Sequence, residues 1–209
     1  YLDEFSDEAR IIGAVNTVKM GERLKGFNTD GVGALRALKN GGADPEDKAV
    51  LILGSGGAAR AIAVTAALQG GISSLTILGI VEEELNRLVK DVSNGTDIKA
   101  VGRIMDNKVL KEEVEKTDLL IHCTPVGMTP NVDQTLVPAE LLRSDLELMD
   151  IVYNPRETLL IKEAKKAGAL TIEGINMFVN QGAESLRIWL GIDAPLELMK
   201  DVVLRELNL

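Results

Sequence analysis

One run of residues in this 209-residue sequence has types and spacing that point directly to chemistry. Gly54-Ser55-Gly56-Gly57-Ala58-Ala59 reads G-x-G-x-x-A and sits between the apolar run 49–53 and a stretch of small residues. In a strand-to-helix setting, Gly54 permits the tight turn, Gly56 lets backbone approach a pyrophosphate, and Ala59 keeps the helix close to the strand. The helix N-terminus then offers unpaired N–H groups and the positive end of its dipole to the phosphates. Further along, Leu78-Gly79-Ile80-Val81-Glu82-Glu83-Glu84 occupies the strand tip that should face the ribose, roughly 20 residues past the loop. It carries no Lys or Arg for a 2′-phosphate, and its three acids read as a solvated first helical turn rather than as ribose ligands. Arg60, just past the loop, could partly supply the missing positive charge. His122, the sole histidine, lies in the buried run 119–123. It reads as a polar group near a cofactor or a satisfied buried histidine, not as an acid–base catalyst. Cys123 reads as a small buried hydrophobe.

The elements that must hold these residues alternate between short apolar runs and longer amphipathic stretches. That pattern predicts an α/β fold with a doubly wound parallel sheet. Strands are predicted at 49–53, 75–78, 98–101, 119–123, 148–152 and 170–172. Helices are predicted at 57–69, 82–92, 109–116, 158–167, 176–190 and 195–207. Residues 13–28 read as two short extended segments around Met20-Gly21-Glu22. Asp30-Gly31 opens a helix through Leu35 and Leu38 that stops at Gly41-Gly42. On residue chemistry alone Asp30 is a helix cap and Asn16 and Asn28 are turn residues. Gln181 reads as an ordinary helix residue and Tyr153 as a strand-end aromatic.

Composition narrows the class. The net charge of -9 disfavours nucleic acid and anionic membranes as partners. No run approaches the ~18 apolar residues of a membrane span, and the N-terminus lacks a signal-peptide pattern. A single cysteine excludes an internal disulfide, so a cytoplasmic location is the simplest expectation. The chain does not begin with Met, which reads as a fragment or processed form.

Several blocks together resemble the shikimate dehydrogenase family. They are Gly13-Ala14-Val15-Asn16-Thr17, Gly26-Phe27-Asn28-Thr29-Asp30-Gly31, the loop from Gly54 to Ala61, and Thr124-Pro125-Val126-Gly127-Met128. Asp150-Ile151-Val152-Tyr153-Asn154-Pro155 with Thr158, and Gly174 with Met177, Gln181 and Gly182, complete the set, in the family's order. The resemblance implies a Rossmann-like domain with a partial substrate-binding domain formed by the N-terminal segment and the C-terminal helices. It divides the chain at 1–29, 30–175 and 176–209. It implies reversible NAD(P)H-dependent reduction of 3-dehydroshikimate to shikimate, in aromatic amino-acid biosynthesis. Asp30 would be the catalytic carboxylate, and Asn16, Asp30, Tyr153 and Gln181 would bind substrate. Gly54, Ser55, Gly56, Gly57, Ala58, Thr124, Met128, Gly174 and Met177 would bind the cofactor. No metal is expected, and the partner is a small molecule; a homodimer is open.

Two departures modify that expectation. The family's catalytic Lys belongs to a segment upstream of the Gly-Ala-Val-Asn-Thr block, and neither Lys19 nor Lys25 matches it. The chain is therefore expected to bind cofactor but turn over poorly. The family's Asn-Arg-Thr block falls on Gly79-Ile80-Val81, which leaves the cofactor as NADP or NAD. An NAD-dependent quinate/shikimate dehydrogenase and a non-catalytic nucleotide-binding module remain as alternatives.

Overall fold

The computed structural model describes residues 1–207. Its core is a six-stranded, all-parallel sheet built from β4 (Ala49–Leu53), β5 (Ser74–Gly79), β6 (Val101–Ile104), β7 (Leu119–His122), β8 (Glu147–Asp150) and β9 (Leu170–Glu173). The spatial order is β6-β5-β4-β7-β8-β9, so the direction of winding reverses between β4 and β7. This is the doubly wound arrangement, in which ligands bind beyond the strand C-termini at the reversal.

The strands are apolar on both faces because both are covered. Val50 and Ile52 of β4 join one cluster with Ile77 and Ile121. Leu51 and Leu53 join a second with Leu78, Leu120 and Leu148. Alternate side chains of a strand point to opposite faces, so an unbroken aliphatic run feeds two cores at once.

Helices α3 (Gly57–Gln69), α4 (Glu82–Gly95), α5 (Asn107–Val114) and α6 (Leu159–Lys166) connect successive strands of this sheet, and α7 (Gly174–Leu190) leads directly out of β9 to α8 (Leu196–Glu206). A second sheet, ordered β1-β3-β2, holds β1 (Glu4–Phe5), β2 (Thr17–Lys19) and β3 (Lys25–Phe27). Helix α2 (Asp30–Asn40) follows it and packs against both α3 and α7. The approach to α7 is close: a Cβ on Gly33 would lie 2.7 Å from the Gln181 backbone nitrogen. That contact carries Asp30, at the start of α2, toward Gln181.

Several boundaries differ from the sequence expectation, each for a local reason. The third strand of the large sheet lies at Val101–Ile104 rather than 98–101, because α4 runs on to Gly95 and β6 pairs with Thr76–Gly79. Helix α5 begins two residues early because Asp106 caps it, accepting the Val109 N–H at 2.7 Å. Helix α7 begins at Gly174, not at 176. Strand β1 and helix α1 (Asp7–Ile12) add to the elements expected from the sequence. Ser6 caps α1 by accepting the Ala9 N–H at 3.1 Å, and Gly13 ends it at φ 72°. No helix among the described residues is long and apolar enough to cross a membrane.

Candidate active site and dinucleotide cleft

The Gly-rich loop lies at the reversal point. Gly54 follows β4 at φ 112°, and a Cβ there would sit 2.7 Å from the Cys123 carbonyl oxygen. Only glycine accommodates both the positive φ and that neighbour. Gly56 and Gly57 are open: a Cβ on either would have no heavy atom within 4 Å. No side chain caps the N-terminus of α3. Its first amides therefore face open space beside two Cβ-free positions, which fits the pyrophosphate of a dinucleotide.

On the far side of the loop, Thr124 and Met128 line a cleft of about 530 Å³ with Ile151 and Tyr153. Ile151 and Tyr153 also border a second cleft, of about 290 Å³, with Asn16, Asp30, Ala58, Gly174, Met177, Phe178 and Gln181. The residues named as substrate ligands thus converge on one cleft, together with Gly174, Met177 and Ala58 from the cofactor set. Gly54 and Thr124 meet at the reversal, where a Cβ on Gly54 would lie 3.2 Å from Thr124 Cγ2.

Asn16 organises the polar end of this cleft. Its Nδ2 donates to Asp30 Oδ1 at 2.9 Å. Its Oδ1 accepts from the Thr29 N–H at 3.0 Å and the Thr29 hydroxyl at 3.2 Å. These partners fix which end of the carboxamide is which and leave one Nδ2 hydrogen for a ligand. Asp30 does not cap α2 with its side chain, contrary to the reading from residue chemistry. The Asp30 N–H is held by Asn28 Oδ1 at 3.1 Å, and the Asp30 side chain borders the cleft. Burial raises the Asp30 pKa, and the Asn16 hydrogen bond only partly opposes this. Gln181 donates to the Phe178 carbonyl at 3.0 Å, and its Oε1 lies 3.4 Å from the Thr29 hydroxyl oxygen.

Phe178 was absent from the expected site. Its ring lies 4.7 Å from that of Tyr153 and forms an aromatic wall to the cleft. Helical periodicity could have found it, since Gly174, Phe178 and Gln181 are spaced four and three apart on α7.

His122 is a satisfied buried histidine, as expected: Nδ1 lies 2.9 Å from Asp150 Oδ1 and Nε2 lies 2.6 Å from Thr124 Oγ1. Cys123 is partly buried, and desolvation pushes its thiol pKa upward, away from reactivity. Glu82, Glu83 and Glu84 form the exposed first turn of α4. Arg60 does not serve the ribose phosphate. Its guanidinium is committed to the Ile12 carbonyl and the Asp91 carboxylate, bracing α1 and α4 against α3. Ile80 is 74% exposed and Val81 46%, so the strand tip is apolar as well as uncharged.

Comparison with known proteins agrees with this geometry. Residues 174–204 match the model of the shikimate 5'-dehydrogenase C-terminal domain. A shikimate dehydrogenase (NADP(+)) of Methanosarcina acetivorans is 44% identical over 210 aligned residues, covering 96% of this chain and 71% of the relative. The crystal structure of shikimate 5-dehydrogenase from Listeria monocytogenes, in complex with shikimate and NAD, superposes with a TM-score of 0.91 at 34% identity. It covers 97% of this chain and 72% of that one. The Thermus thermophilus enzyme in complex with NADP(H) and shikimate gives a TM-score of 0.83 at 34% identity, over 98% of this chain and 72% of that one. With its reversal-point glycine loop, its Asn16–Asp30 pair and relatives of this similarity, the chain belongs to the shikimate dehydrogenase family.

Proposed function

We propose that this chain carries the dinucleotide site and the polar substrate end of a shikimate dehydrogenase, which interconverts shikimate and 3-dehydroshikimate using NADP or NAD. The observation that carries the reading is the single cleft holding Asn16, Asp30 and Gln181 beside Gly174 and Met177. A module that only bound nucleotide would have no use for a half-buried carboxylate and two oriented carboxamides next to its dinucleotide cleft.

When bound, the dinucleotide supplies or accepts the hydride. The amides at the start of α3 hold its pyrophosphate, with Ser55 beside them. Thr124, Met128, Gly174 and Met177 bracket its nicotinamide half. Asn16 and Gln181 bind and orient the substrate's ring hydroxyls. Asp30 accepts a hydrogen bond from the reacting hydroxyl, and its burial makes it a stronger base than an exposed aspartate. Tyr153, backed by Phe178, closes the apolar side of the cleft. Among the described residues no Lys or Arg pairs with Asp30, whose side-chain partner is Asn16. Lys25 instead lies 5.6 Å over the Phe27 ring.

This reading divides the chain into residues 1–29 and 176–209, which serve the substrate, and residues 30–175, which bind the dinucleotide; the separate small sheet supports that division. Self-association through the exposed Met20, Trp189 and Leu190 belongs to the same proposal and is read by light scattering. The test of function is calorimetric titration with NADP+ or NAD+ followed by shikimate. Shikimate binding that requires Asp30 and Gln181 is expected. Dinucleotide binding with no shikimate response would instead mark a nucleotide-binding module.

A further inference from the structure

His122 ends β7 and is 1% exposed, between Asp150 at the end of β8 and Thr124 in the loop beyond. Two further donors converge on Asp150. Asp150, fully buried, accepts from the Val152 N–H at 3.1 Å and from the Thr158 hydroxyl at 2.6 Å, in addition to facing His122. Thr158 in turn caps α6, its oxygen accepting the Ile161 N–H at 3.2 Å. The Thr124 oxygen accepts the Val126 N–H at 3.3 Å.

The directions follow from which groups can donate. A carboxylate acts as acceptor only, so His122 Nδ1, 2.9 Å from Asp150 Oδ1, carries the proton that faces it. In the neutral ring Nε2 is then an acceptor, and the hydrogen within its reach is that of the Thr124 hydroxyl, at 2.6 Å between heavy atoms. The Thr124 proton therefore points into the protein. Val126 occupies one lone pair of its oxygen, which leaves one for a group in the cleft that Thr124 lines with Met128 and Tyr153.

We propose that His122 is a positioning residue that fixes the polarity of Thr124, so that Thr124 presents an acceptor and never a donor to the nicotinamide half of the dinucleotide. The ligand group it takes is a donor such as a hydroxyl of the nicotinamide ribose. This rests on the dinucleotide reading given above. The same polar chain reaches Thr158 beneath the Tyr153 loop. A second tie, from the Thr129 N–H to the Asn154 carbonyl at 3.0 Å, joins the two loops on the outside.

His122 is the only histidine, so long-range 1H–15N NMR of protein labelled with 15N-histidine reads a single ring. A neutral ring protonated on Nδ1 is expected. An Nε2–H tautomer or a cationic ring at neutral pH overturns the proposal. His122→Leu, His122→Asn and Thr124→Val are then titrated with NADP+, NAD+ and ADP, which lacks the nicotinamide riboside. His122→Leu and Thr124→Val should each weaken the dinucleotides about fivefold, the scale of one neutral hydrogen bond, and leave ADP unchanged. His122→Asn should recover part of the loss, and the double variant should lose no more than either single one. Equal weakening of ADP and dinucleotide shows a general structural role and overturns the proposal, as does no change in either. Failure of the unaltered protein to bind any of the three probes overturns the dinucleotide reading itself, whatever the tautomer.

Discussion

The Asn16 carboxamide donates to the Asp30 carboxylate at 2.9 Å across fourteen residues of sequence. The pairing of β2 with β3 brings the two together, with Thr17 opposite Phe27 and the Asn16 N–H on the Phe27 carbonyl at 3.0 Å. Desolvation dominates at Asp30, so its carboxyl pKa lies above the ordinary aspartate value. The folded state then holds the Asp30 proton more tightly than the unfolded chain does. That contribution to stability is fully present below the unfolded pKa and is lost as pH rises through the folded one. Asp30→Asn should therefore raise the thermal midpoint at neutral pH, with an advantage that shrinks toward acid pH. The same variant should weaken shikimate binding about tenfold, the scale of one hydrogen bond to a charged group. Scanning calorimetry across pH, paired with shikimate titration, checks both; a variant less stable than the parent at neutral pH would contradict the assignment.

Gly54 and Gly56 should fail differently. Gly54→Ala meets both the positive φ and the Cys123 carbonyl, so it should cost about 1–3 kcal/mol of stability. Gly56→Ala meets no protein atom within 4 Å and has ordinary extended backbone, so its thermal midpoint should stay near that of the parent. Its new methyl occupies the space a pyrophosphate needs, and dinucleotide affinity should fall. Thermal melts and fluorescence titration of both variants distinguish the two effects. Equal melting points would show that Gly54 is not under the backbone constraint argued above.

The strand tip bears on cofactor choice. Ile80 and Val81 are exposed, three glutamates follow, and Arg60 is committed to α1 and α4. Nothing in this tip favours a 2′-phosphate over a hydroxyl. The ratio of NADPH to NADH dissociation constants should be near unity. Ile80→Arg should shift it about tenfold toward NADPH by adding one charge-assisted hydrogen bond. A strong NADPH preference in the unaltered chain would refute this account of residues 79–81.

Phe178 backs Tyr153 at 4.7 Å while both rings remain partly exposed. Phe178→Ala should cost about 1 kcal/mol of stability from the lost aromatic pair. It should loosen Tyr153 and weaken shikimate severalfold, leaving dinucleotide affinity unchanged. Parallel titrations with the two ligands test it; a matched loss for both would point to a general collapse of α7.

The parallel sheet was legible because its strands are unbroken aliphatic runs bounded by glycine, and helix caps and periodicity marked most of what joins them. The misplaced and missed elements are short. Strand β6 has four residues and only one covered side of neighbours, so its pattern is weak. Helix α1 has only six residues, too few for periodicity to show, although its Ser6-Asp7-Glu8 start is a helix-initiation signal. Phe178 likewise lies on a legible helical stripe.

The sequence by itself determined the fold class, the dinucleotide loop and the residue types of the site, because these depend on local pattern: strand, glycine turn, helix N-terminus. Only the tertiary structure decided which polar groups act together. The roles of Asp30, Arg60 and His122 depend on partners 14, 31 and 28 residues away in sequence. Strand pairing and helix packing choose those partners, turning Asp30 from a helix cap into a cleft carboxylate, Arg60 from a phosphate ligand into a brace, and His122 into the group that orients Thr124.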